Sequence, residues 1–337
     1  MPARPESVRL GHVVVDVRLE EETPQRVLRQ IRADLLRTPR EIAPRFFYDD
    51  RGSELFERIT ELPEYYQTRT ERALLHEISG DVARRCGCPV LVELGSGASS
   101  KTRVLLDAFA DAHGCEVYVP FDVSEGIVRR AADELASEYP GLSVHAVIGD
   151  FTHHLEYIPS EARRLIIFLG GTIGNFTPAQ ARDFLTRVAS VMQRDEYFLL
   201  GVDLIKDVAT LEAAYNDSQG VTAAFNRNIL NVVNAVADAD FVPQAFEHRA
   251  FFDTVEHRID LRLVSRREQS VRLRRAGLLL LLRDGDEIRT EISVKYDQRL
   301  TRELLRDCGL ELVEWYTDPE SLFGLALARR PSSGAAG

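Results

Sequence analysis

The sequence has few cysteines, no long hydrophobic run and no apolar leader, and each absence excludes a class of protein. Four irregularly spaced cysteines among 337 residues are too few for a disulfide framework or a zinc site. The longest apolar stretches, such as residues 276–282, are far shorter than the roughly 20 residues that a membrane-spanning helix needs. The N-terminal segment alternates charges with valines and has no h-region of a signal peptide. We therefore expect a cytoplasmic protein without a membrane segment.

Lysine and asparagine are scarce, and the charge balance is acidic. Of the 42 basic residues only Lys101, Lys206 and Lys295 are lysine, and five of the six asparagines lie between positions 216 and 234. A G+C-rich coding bias explains this composition, so a surviving lysine or asparagine points to a position where no substitute fits. The 53 acidic residues give a net charge of −11, which disfavours nucleic acids and anionic membranes as partners.

Short β-rich runs alternate with helices from residue 89 onwards, the pattern of a parallel sheet with crossover helices. The predicted strands are 90–93, 117–121, 143–148, 165–169 and 197–202, with helices over 101–112, 124–138 and 178–193. Helices over 25–36 and 68–84 precede them, around an aromatic turn at 45–52. A helical stretch over 211–237 and antiparallel runs at 259–264, 270–274 and 287–296 follow. A last helix, 299–308, and a hairpin, 312–316 with 323–328, would add an antiparallel edge to the sheet, so the second domain is discontinuous.

Two glycines follow the first strand of the alternating region, in the sequence Glu93-Leu94-Gly95-Ser96-Gly97. They allow a tight turn and a close approach of a ligand to the backbone. A dinucleotide fingerprint needs a third glycine at position 100, where serine stands, and the sequence has no phosphate-binding loop motif. The turn instead fits S-adenosylmethionine-dependent methyltransferases, although by itself it is equally compatible with another ligand or with none.

Candidate ligand-binding side chains follow each of the next three strands. Asp122 ends the second strand, where a carboxylate can accept hydrogen bonds from both ribose hydroxyls. Asp150 and Phe151 end the third, and they offer an acceptor for an adenine amino group and a ring to stack on the base. Asn175 ends the fourth. Each residue alone is typical of a helix cap or a solvated loop, but their order at successive strand ends indicates an S-adenosylmethionine site.

Five blocks of the sequence resemble the L-histidine Nα-methyltransferases of ergothioneine biosynthesis, and the similarity extends from about position 45 to 328. The blocks are residues 61–71 (ELPEYYQTRTE), 94–97 (LGSG), 168–175 (FLGGTIGN), 220–228 (GVTAAFNRN) and 291–293 (EIS). The resemblance implies a Rossmann-like class I methyltransferase, α/β with a mostly parallel sheet and an antiparallel edge, plus a discontinuous α+β substrate-binding domain. It implies a histidine-binding domain from 20–68 and 206–295, and a methyl-donor domain from 69–205 and 296–330. We expect the tail, 331–337, to be disordered.

The resemblance also implies roles for individual residues. The donor, S-adenosyl-L-methionine, would contact Gly95, Lys101, Asp122, Asp150 and Phe151. L-Histidine would be held by Tyr65, Asn175, Tyr215, Glu291, Ile292 and Ser293. Tyr48 would lie near the reacting amine, and Tyr48 and Asn175 would be the catalytic residues. Two positions depart from the family pattern: Gly171 replaces an expected serine, and Leu261 replaces a methionine that often packs near the substrate ring.

Glu291 and Ser293 lie two apart on a predicted strand, so their side chains point to one face. The pattern alone favours the solvent face of an edge strand, continued by Lys295. The resemblance implies instead that both residues read the imidazole, and the chemistry agrees. A carboxylate accepts a hydrogen bond from a ring N–H, and a hydroxyl can donate to or accept from a ring nitrogen.

The expected reaction is trimethylation of the α-amino group of L-histidine to hercynine, the first step of ergothioneine biosynthesis. Methyl transfer is an in-line displacement, so the protein must mainly position the reactants and supply suitable electrostatics. The aromatic faces of Phe47, Tyr48, Tyr65 and Tyr215 could favour the growing cation. We expect no metal, because the adjacent His153 and His154 point apart and have no partner pair at ligand spacing.

Two alternatives stay open from the sequence. One is an α-N-methyltransferase of another aromatic amino acid, such as tryptophan. The other is a non-catalytic S-adenosylmethionine-binding regulator, against which the intact donor turn and the complete set of acceptor residues argue. We expect a monomer that acts on a small molecule and has neither a nucleic-acid nor a membrane partner.

Overall fold

The computed structural model describes residues 7–10, 12–19, 23–97, 99 and 101–331. The chain forms two compact units. The first comprises residues 1–21, 69–204 and 296–337, and the second comprises residues 22–68 and 205–295. All but the first residue of the predicted disordered tail, 331–337, lies outside the described residues. Among the described residues, no helix combines the length and the apolar character needed to cross a bilayer.

The chain contains the following strands and helices. The strands are β1 (Ser7–Leu10), β2 (Val13–Val17), β3 (Arg40–Glu41), β4 (Val90–Leu94), β5 (Val117–Asp122), β6 (Ser143–Ile148), β7 (Arg164–Phe168), β8 (Tyr197–Asp203), β9 (Phe246–Asp253), β10 (Arg258–Ser265), β11 (Gln269–Leu273), β12 (Leu278–Leu282), β13 (Glu287–Val294), β14 (Glu311–Thr317) and β15 (Phe323–Arg329). The α-helices are α1 (Pro24–Leu35), α2 (Asp50–Thr60), α3 (Gln67–Cys86), α4 (Thr102–Ala112), α5 (Glu125–Glu138), α6 (Pro178–Val191), α7 (Val208–Tyr215), α8 (Val221–Ala237) and α9 (Gln298–Asp307).

The first unit is built on a nine-stranded sheet in the order β1-β2-β6-β5-β4-β7-β8-β15-β14. Strands β2 to β8 of this order pair in parallel, whereas β15 runs antiparallel to β8 and to β14. Every residue of β4 and β7 is buried, as expected for central strands covered on both faces. The predicted α/β fold, with a mostly parallel sheet and an antiparallel edge, is confirmed. The strand order reverses at β4, and ligands bind at the carboxyl ends of strands beside such a reversal.

The second unit contains a four-stranded sheet, β3-β13-β10-β9, and a separate hairpin, β11-β12. Helix α8 contributes several residues to its core, including Phe225, Ile229 and Val233. The helical stretch predicted over 211–237 is two helices. The break falls where Gly220 has a φ of +70° and the Asp217 carboxylate accepts hydrogen bonds from the first amides of α8.

The aromatic turn predicted at 45–52 is a short 3₁₀ turn, Pro44–Phe47, followed directly by α2. The Asp49 carboxylate caps α2 by accepting a hydrogen bond from the Gly52 N–H at 2.7 Å. A Cβ at Gly52 would lie 1.6 Å from the carbonyl oxygen of Phe47, so only glycine lets the turn approach the helix this closely. Tyr48 lies between the 3₁₀ turn and α2.

Candidate functional site

The glycine turn after β4 meets the end of β5 in the first unit. Gly95 has a φ of +70°, and the Gly97 N–H donates a hydrogen bond to the Asp122 carboxylate at 3.0 Å. The second carboxylate oxygen of Asp122 accepts from the Ser124 N–H, also at 3.0 Å. Between the glycines, the hydroxyl of Ser96 is buried and has no hydrogen-bond partner among the described residues. The structure thus brings the glycine turn and Asp122 together, and the described residues offer no partner to the Ser96 hydroxyl.

The residues after β6 lie beside this turn. The Phe151 ring is 3.6 Å from the point where a Cβ at Gly95 would lie, and it packs edge-on against Phe168 at 5.3 Å between ring centroids. The Asp150 carboxylate accepts hydrogen bonds from the backbone N–H and the hydroxyl of Thr152, at 2.8 and 2.6 Å. Phe151 therefore lies at the turn itself, whereas Asp150 stabilises the loop that follows β6 through hydrogen bonds.

His153 and His154 belong to this loop. His154 Nδ1 accepts a hydrogen bond from the Asp150 N–H at 3.1 Å, and His153 is mostly exposed. Within the described ranges, no three histidine, cysteine or carboxylate side chains gather in a way that would hold a metal ion. His154 thus has a local bracing role in the loop.

Lys101 is held by a carboxylate that sequence reasoning missed. Its ammonium pairs with Glu71, which is fully buried on α3, and the other Glu71 oxygen accepts a hydrogen bond from the Gly170 N–H at 2.6 Å. A Cβ at Gly170 would lie 3.6 Å from Lys101 Nζ. Glu71 therefore ties the start of α4 to the turn after β7. The only signal in the sequence was its place at the end of the 61–71 block.

A second buried carboxylate lies behind the glycine turn. Glu93 accepts hydrogen bonds from the hydroxyls of Thr102 and Tyr118, and the Tyr118 hydroxyl is 2.8 Å from that of Ser99. Burial raises the pKa of Glu93 to about 7, although both hydroxyls and the Lys101 charge lower it. This network fixes the end of β4 and the start of α4 relative to each other.

Asn175 ends a 3₁₀ turn, Thr172–Asn175, that directly follows β7. The turn is entered through Gly170 and Gly171, which have φ values of +78° and +64°. A Cβ at Gly171 would make an ordinary contact with Phe323 at 3.5 Å, so there is space for a serine. Serine would nevertheless strain the backbone, because the φ of this residue is positive. The departure at Gly171 is therefore suited to the conformation found here.

In the second unit, three polar side chains predicted or singled out from the sequence form one cluster. The Tyr215 hydroxyl donates a hydrogen bond to Ser293 Oγ at 2.8 Å, and Lys295 Nζ donates to Ser293 Oγ and to the Tyr215 hydroxyl at 2.8 and 2.9 Å. Lys295 is fully buried. Tyr215 also packs against Ile259 and Leu261 of β10. The cluster fixes the orientation of both the tyrosine and the serine.

Glu291 lies on the same face of β13 as Ser293, because it pairs with Leu261 while Ser293 pairs with Ile259. Between Leu261 and Arg262 the register shifts, which leaves Thr290 as the extra residue of a β-bulge directly before Glu291. Burial raises the pKa of Glu291 to about 7, and the nearby Lys295 charge lowers it. Within the described part of the chain, no hydrogen bond to the carboxylate is present. The described residues thus leave a partly buried acceptor without a donor.

Ile292 is placed differently from its two neighbours. It pairs with Asp260 and so faces the other side of the sheet, and its side chain is buried. The structure therefore places Glu291 and Ser293 on one face of β13, where the Tyr215 hydroxyl contacts Ser293, and it places the Ile292 side chain on the other face.

The remaining predicted residues of the second unit belong to an aromatic group. Tyr48 and Tyr65 each contact the Phe56 ring edge-on, at 5.8 and 6.4 Å between centroids. Tyr48 is 54% exposed and also contacts the Phe225 ring, at 6.0 Å between centroids. Phe47 is 1% exposed and stacks on Phe225 at 4.5 Å, which makes it a core residue and not a face for a ligand cation.

Comparison with known proteins adds independent findings. A family model described as histidine-specific methyltransferase, SAM-dependent, matches residues 27–330. Two relatives named histidine N-alpha-methyltransferase align over 302 residues, with 47% identity for that of Mycolicibacterium smegmatis and 44% for that of Mycobacterium tuberculosis; each alignment covers 90% of this chain and 94% of the relative. Ergothioneine biosynthesis protein 1 of Neurospora crassa is 30% identical over 312 residues, which are 86% of this chain and 34% of that protein.

Proposed function

We propose, from the premise that this chain belongs to the family of histidine-specific, S-adenosylmethionine-dependent methyltransferases, that it trimethylates the α-amino group of L-histidine to hercynine. The observation that carries the proposal is the Glu291 carboxylate, whose pKa is raised by burial and which receives no hydrogen bond from the residues that the structure describes. It shares one face of β13 with Ser293. An acceptor beside a hydroxyl suits a five-membered ring that carries one N–H and one bare nitrogen.

The residues of the donor turn fit S-adenosylmethionine. The buried Ser96 hydroxyl, which has no hydrogen-bond partner among the described residues, and the Phe151 ring beside Gly95 support a ligand with polar and aromatic parts at this turn. In our proposal Asp122 accepts hydrogen bonds from the ribose, Phe151 and Asp150 hold the adenine, and Lys101 and the Gly95 backbone hold the amino-acid tail. When bound, the donor supplies a methyl group already activated on a sulfonium.

The acceptor residues divide into two roles in this proposal. Glu291 and Ser293 read the imidazole, with Ile292 contributing through its backbone, and they select histidine over rings without a second nitrogen. Tyr65 and Asn175 hold the α-carboxylate and the α-amine. Tyr215 donates its only hydroxyl hydrogen to Ser293, so its oxygen can accept a hydrogen bond only from the α-amine. Because both ends of the substrate are then fixed, the α-nitrogen is the atom that reacts.

The reacting amine must lose its proton before each transfer, because an α-amino group is largely protonated near neutral pH. Water can take this proton between transfers, and no side chain of the proposed site is required as a dedicated base. In our proposal Tyr48 lies near the reacting amine, where its aromatic ring favours a nitrogen that becomes permanently cationic after the third methylation. The reaction stops there because no lone pair remains.

Incubation with S-adenosylmethionine and a mixture of the twenty amino acids tests the reaction directly. Mass gains of one, two and three methyl groups on histidine alone are expected. Gains on tryptophan would favour the aromatic amino-acid alternative, and no gain on any amino acid, with intact donor binding, would favour the regulator.

Glu291→Ala tests the substrate assignment. The variant should bind S-adenosylmethionine as the wild type does and lose most of its affinity for histidine, measured by calorimetry with the donor saturating. Its preference for histidine over tryptophan or phenylalanine should narrow. Wild-type affinity and selectivity in Glu291→Ala would overturn the assignment.

The proposal extends to the setting of the reaction. A free amino acid is a small-molecule substrate, and the net charge of −11 disfavours nucleic acid and anionic membrane surfaces. We propose a cytoplasmic enzyme that acts as a monomer. Light scattering at working concentration tests the monomer, and a dimer mass would overturn it.

A further inference from the structure

A buried chain of hydrogen bonds crosses the second unit, centred on Asn226 of α8. The Asn226 amide donates to His248 Nδ1 at 2.8 Å and to the Arg262 carbonyl at 3.2 Å. Its oxygen accepts from the Thr290 hydroxyl at 2.7 Å. The second ring nitrogen of His248 lies 2.9 Å from the Tyr215 carbonyl. Asn226 is fully buried, and Thr290 nearly so.

The donor and the acceptor of each hydrogen bond around Asn226 can be assigned. A carbonyl can only accept, so His248 Nε2 carries the hydrogen toward Tyr215, and Nδ1 accepts from Asn226. Burial also lowers the pKa of His248, which favours the neutral ring that this arrangement needs. With both amide hydrogens of Asn226 donated and its oxygen accepting, no other orientation of the amide satisfies the three neighbours. Such fully satisfied buried networks rigidify the elements they join.

Both ends of this hydrogen-bonded network, Thr290 and His248, contact elements that carry proposed substrate-binding residues. Thr290 is the extra residue of the β-bulge that directly precedes Glu291, and its hydroxyl is also 3.2 Å from the carbonyl of Leu261, the residue opposite Glu291. A bulge re-aims the side chains beside it. At the other end, His248 holds the backbone of Tyr215, whose hydroxyl contacts Ser293.

We propose that Asn226, acting through Thr290 and His248, is a positioning residue that sets the aim of Glu291 and Tyr215 and thereby the affinity and selectivity for the acceptor. Asn226 belongs to the 220–228 block of the sequence, and it touches none of the proposed acceptor residues directly through its side-chain hydrogen bonds. The inference rests on the proposed function of Glu291. It predicts that residues outside the acceptor pocket control histidine recognition while leaving donor binding unchanged.

Thr290→Val is the first test, because it removes one hydroxyl at nearly constant volume. Losing the hydrogen bond that holds the bulge should raise the KM for histidine about tenfold, with kcat changed less and the S-adenosylmethionine Kd unchanged. Thr290→Ser restores the hydroxyl and should restore the KM. Thr301→Val is the matched control, since Thr301 of α9 is equally buried and its hydroxyl also donates, to the Asp297 carbonyl at 2.8 Å. It should lower the melting temperature without changing the histidine KM.

A double-mutant cycle separates positioning from general stability. If Thr290 acts through Glu291, Thr290→Val should change histidine affinity less than about twofold in a Glu291→Gln background. Asn226→Leu removes all three hydrogen bonds and should raise the histidine KM more than Thr290→Val does. If Asn226→Leu does not fold, as judged by loss of S-adenosylmethionine binding, Thr290→Val and its cycle decide the question.

The positioning role of Asn226 and the proposed role of Glu291 would be overturned by different results. If Glu291→Ala weakens histidine binding but Thr290→Val leaves the KM unchanged, or changes it equally in both backgrounds, Asn226 and its partners are structural only. If Glu291→Ala itself leaves histidine affinity unchanged, the proposed reading of the imidazole fails first.

Discussion

Lys295 Nζ lies 2.8 Å from Ser293 Oγ, so the serine hydroxyl accepts a hydrogen bond from a fully buried ammonium. The Tyr215 hydroxyl donates to the same oxygen at 2.8 Å. Because a hydroxyl has two lone pairs and one hydrogen, Ser293 has only its hydrogen left to offer a ligand. Ser293 then donates and Glu291 accepts. Together they complement a neutral imidazole, with one bare nitrogen and one N–H.

Histidine methylated on either ring nitrogen should therefore be a poor acceptor. The neutral ring of both compounds lacks an N–H, so the Glu291 carboxylate would stay unpaired, which can reject an analogue strongly. The measurement is kcat/KM for α-N-methylation of each compound relative to histidine, and a loss of more than about a hundredfold is expected. In Glu291→Ala the discrimination should shrink. Equal turnover of histidine and both analogues by the wild type would contradict this role of Glu291.

Glu291→Gln should stabilise the ligand-free protein at alkaline pH. The pKa of Glu291 is raised to about 7 in the folded chain, so folding disfavours its ionised form. The wild type thus loses stability as pH rises from about 4.5 to 7 and bears the whole penalty above 7, at most about 3 kcal/mol. The glutamine side chain of the variant cannot ionise. The melting temperature of the variant minus that of the wild type should be positive at pH 8 and approach zero near pH 5; a difference independent of pH would contradict the prediction.

The parallel sheet could be predicted from the sequence because its central strands are apolar on both faces and are separated by helices of regular length. Strands β4 to β8 lie within two residues of the predicted positions. The N-terminal strands were missed, since β2 is recognisable only by its pairing with β6, more than 120 residues away in the chain. The two-residue β3 likewise depends on its pairing with β13.

In the candidate site, too, the features with a local sequence pattern could be predicted and those that depend on long-range pairing could not. The spacing of Glu291 and Ser293 predicted a shared face, and the scarcity of lysine pointed to Lys101 and Lys295, both of which make buried polar contacts. The bulge at Thr290 depends on the register of β10, and the role of Glu71 depends on partners 30 and 99 residues away. Neither kind of long-range pairing leaves a local pattern.

Removing one partner of the Glu71–Lys101 pair should have unequal effects on stability. Lys101→Met leaves a fully buried carboxylate without its counter-charge, whereas Glu71→Gln leaves an ammonium that is 19% exposed and can reach water. We expect Lys101→Met to cost about 3 kcal/mol and Glu71→Gln about 1–2 kcal/mol in the free energy of unfolding. The double variant should be more stable than Lys101→Met alone. Urea denaturation measures all three, and the reverse order would show that Lys101 is the less solvated partner.

Asp122→Ala should weaken binding of the methyl donor. The carboxylate shapes the turn through the Gly97 N–H and, in the proposed site, binds the ribose, so its loss should cost about 1.5–3 kcal/mol per hydrogen bond. Calorimetry should show a Kd for S-adenosylmethionine raised roughly tenfold or more. Asp111→Ala, an exposed position on α4, serves as the control and should leave the Kd unchanged. Unchanged donor affinity with lost histidine affinity in Asp122→Ala would reverse the assignment.

Histamine should bind weakly and be methylated very poorly. It keeps the imidazole that Glu291 and Ser293 are proposed to read, but it lacks the carboxylate that Asn175 is proposed to hold, so its amine would not be fixed for in-line attack. Histamine should therefore inhibit histidine methylation competitively while showing a kcat at least about a hundredfold lower than that of histidine. Asn175→Ala should lower kcat for histidine much more than for histamine, because only histidine loses a contact. Efficient methylation of histamine by the wild type would show that the carboxylate does not position the reacting nitrogen.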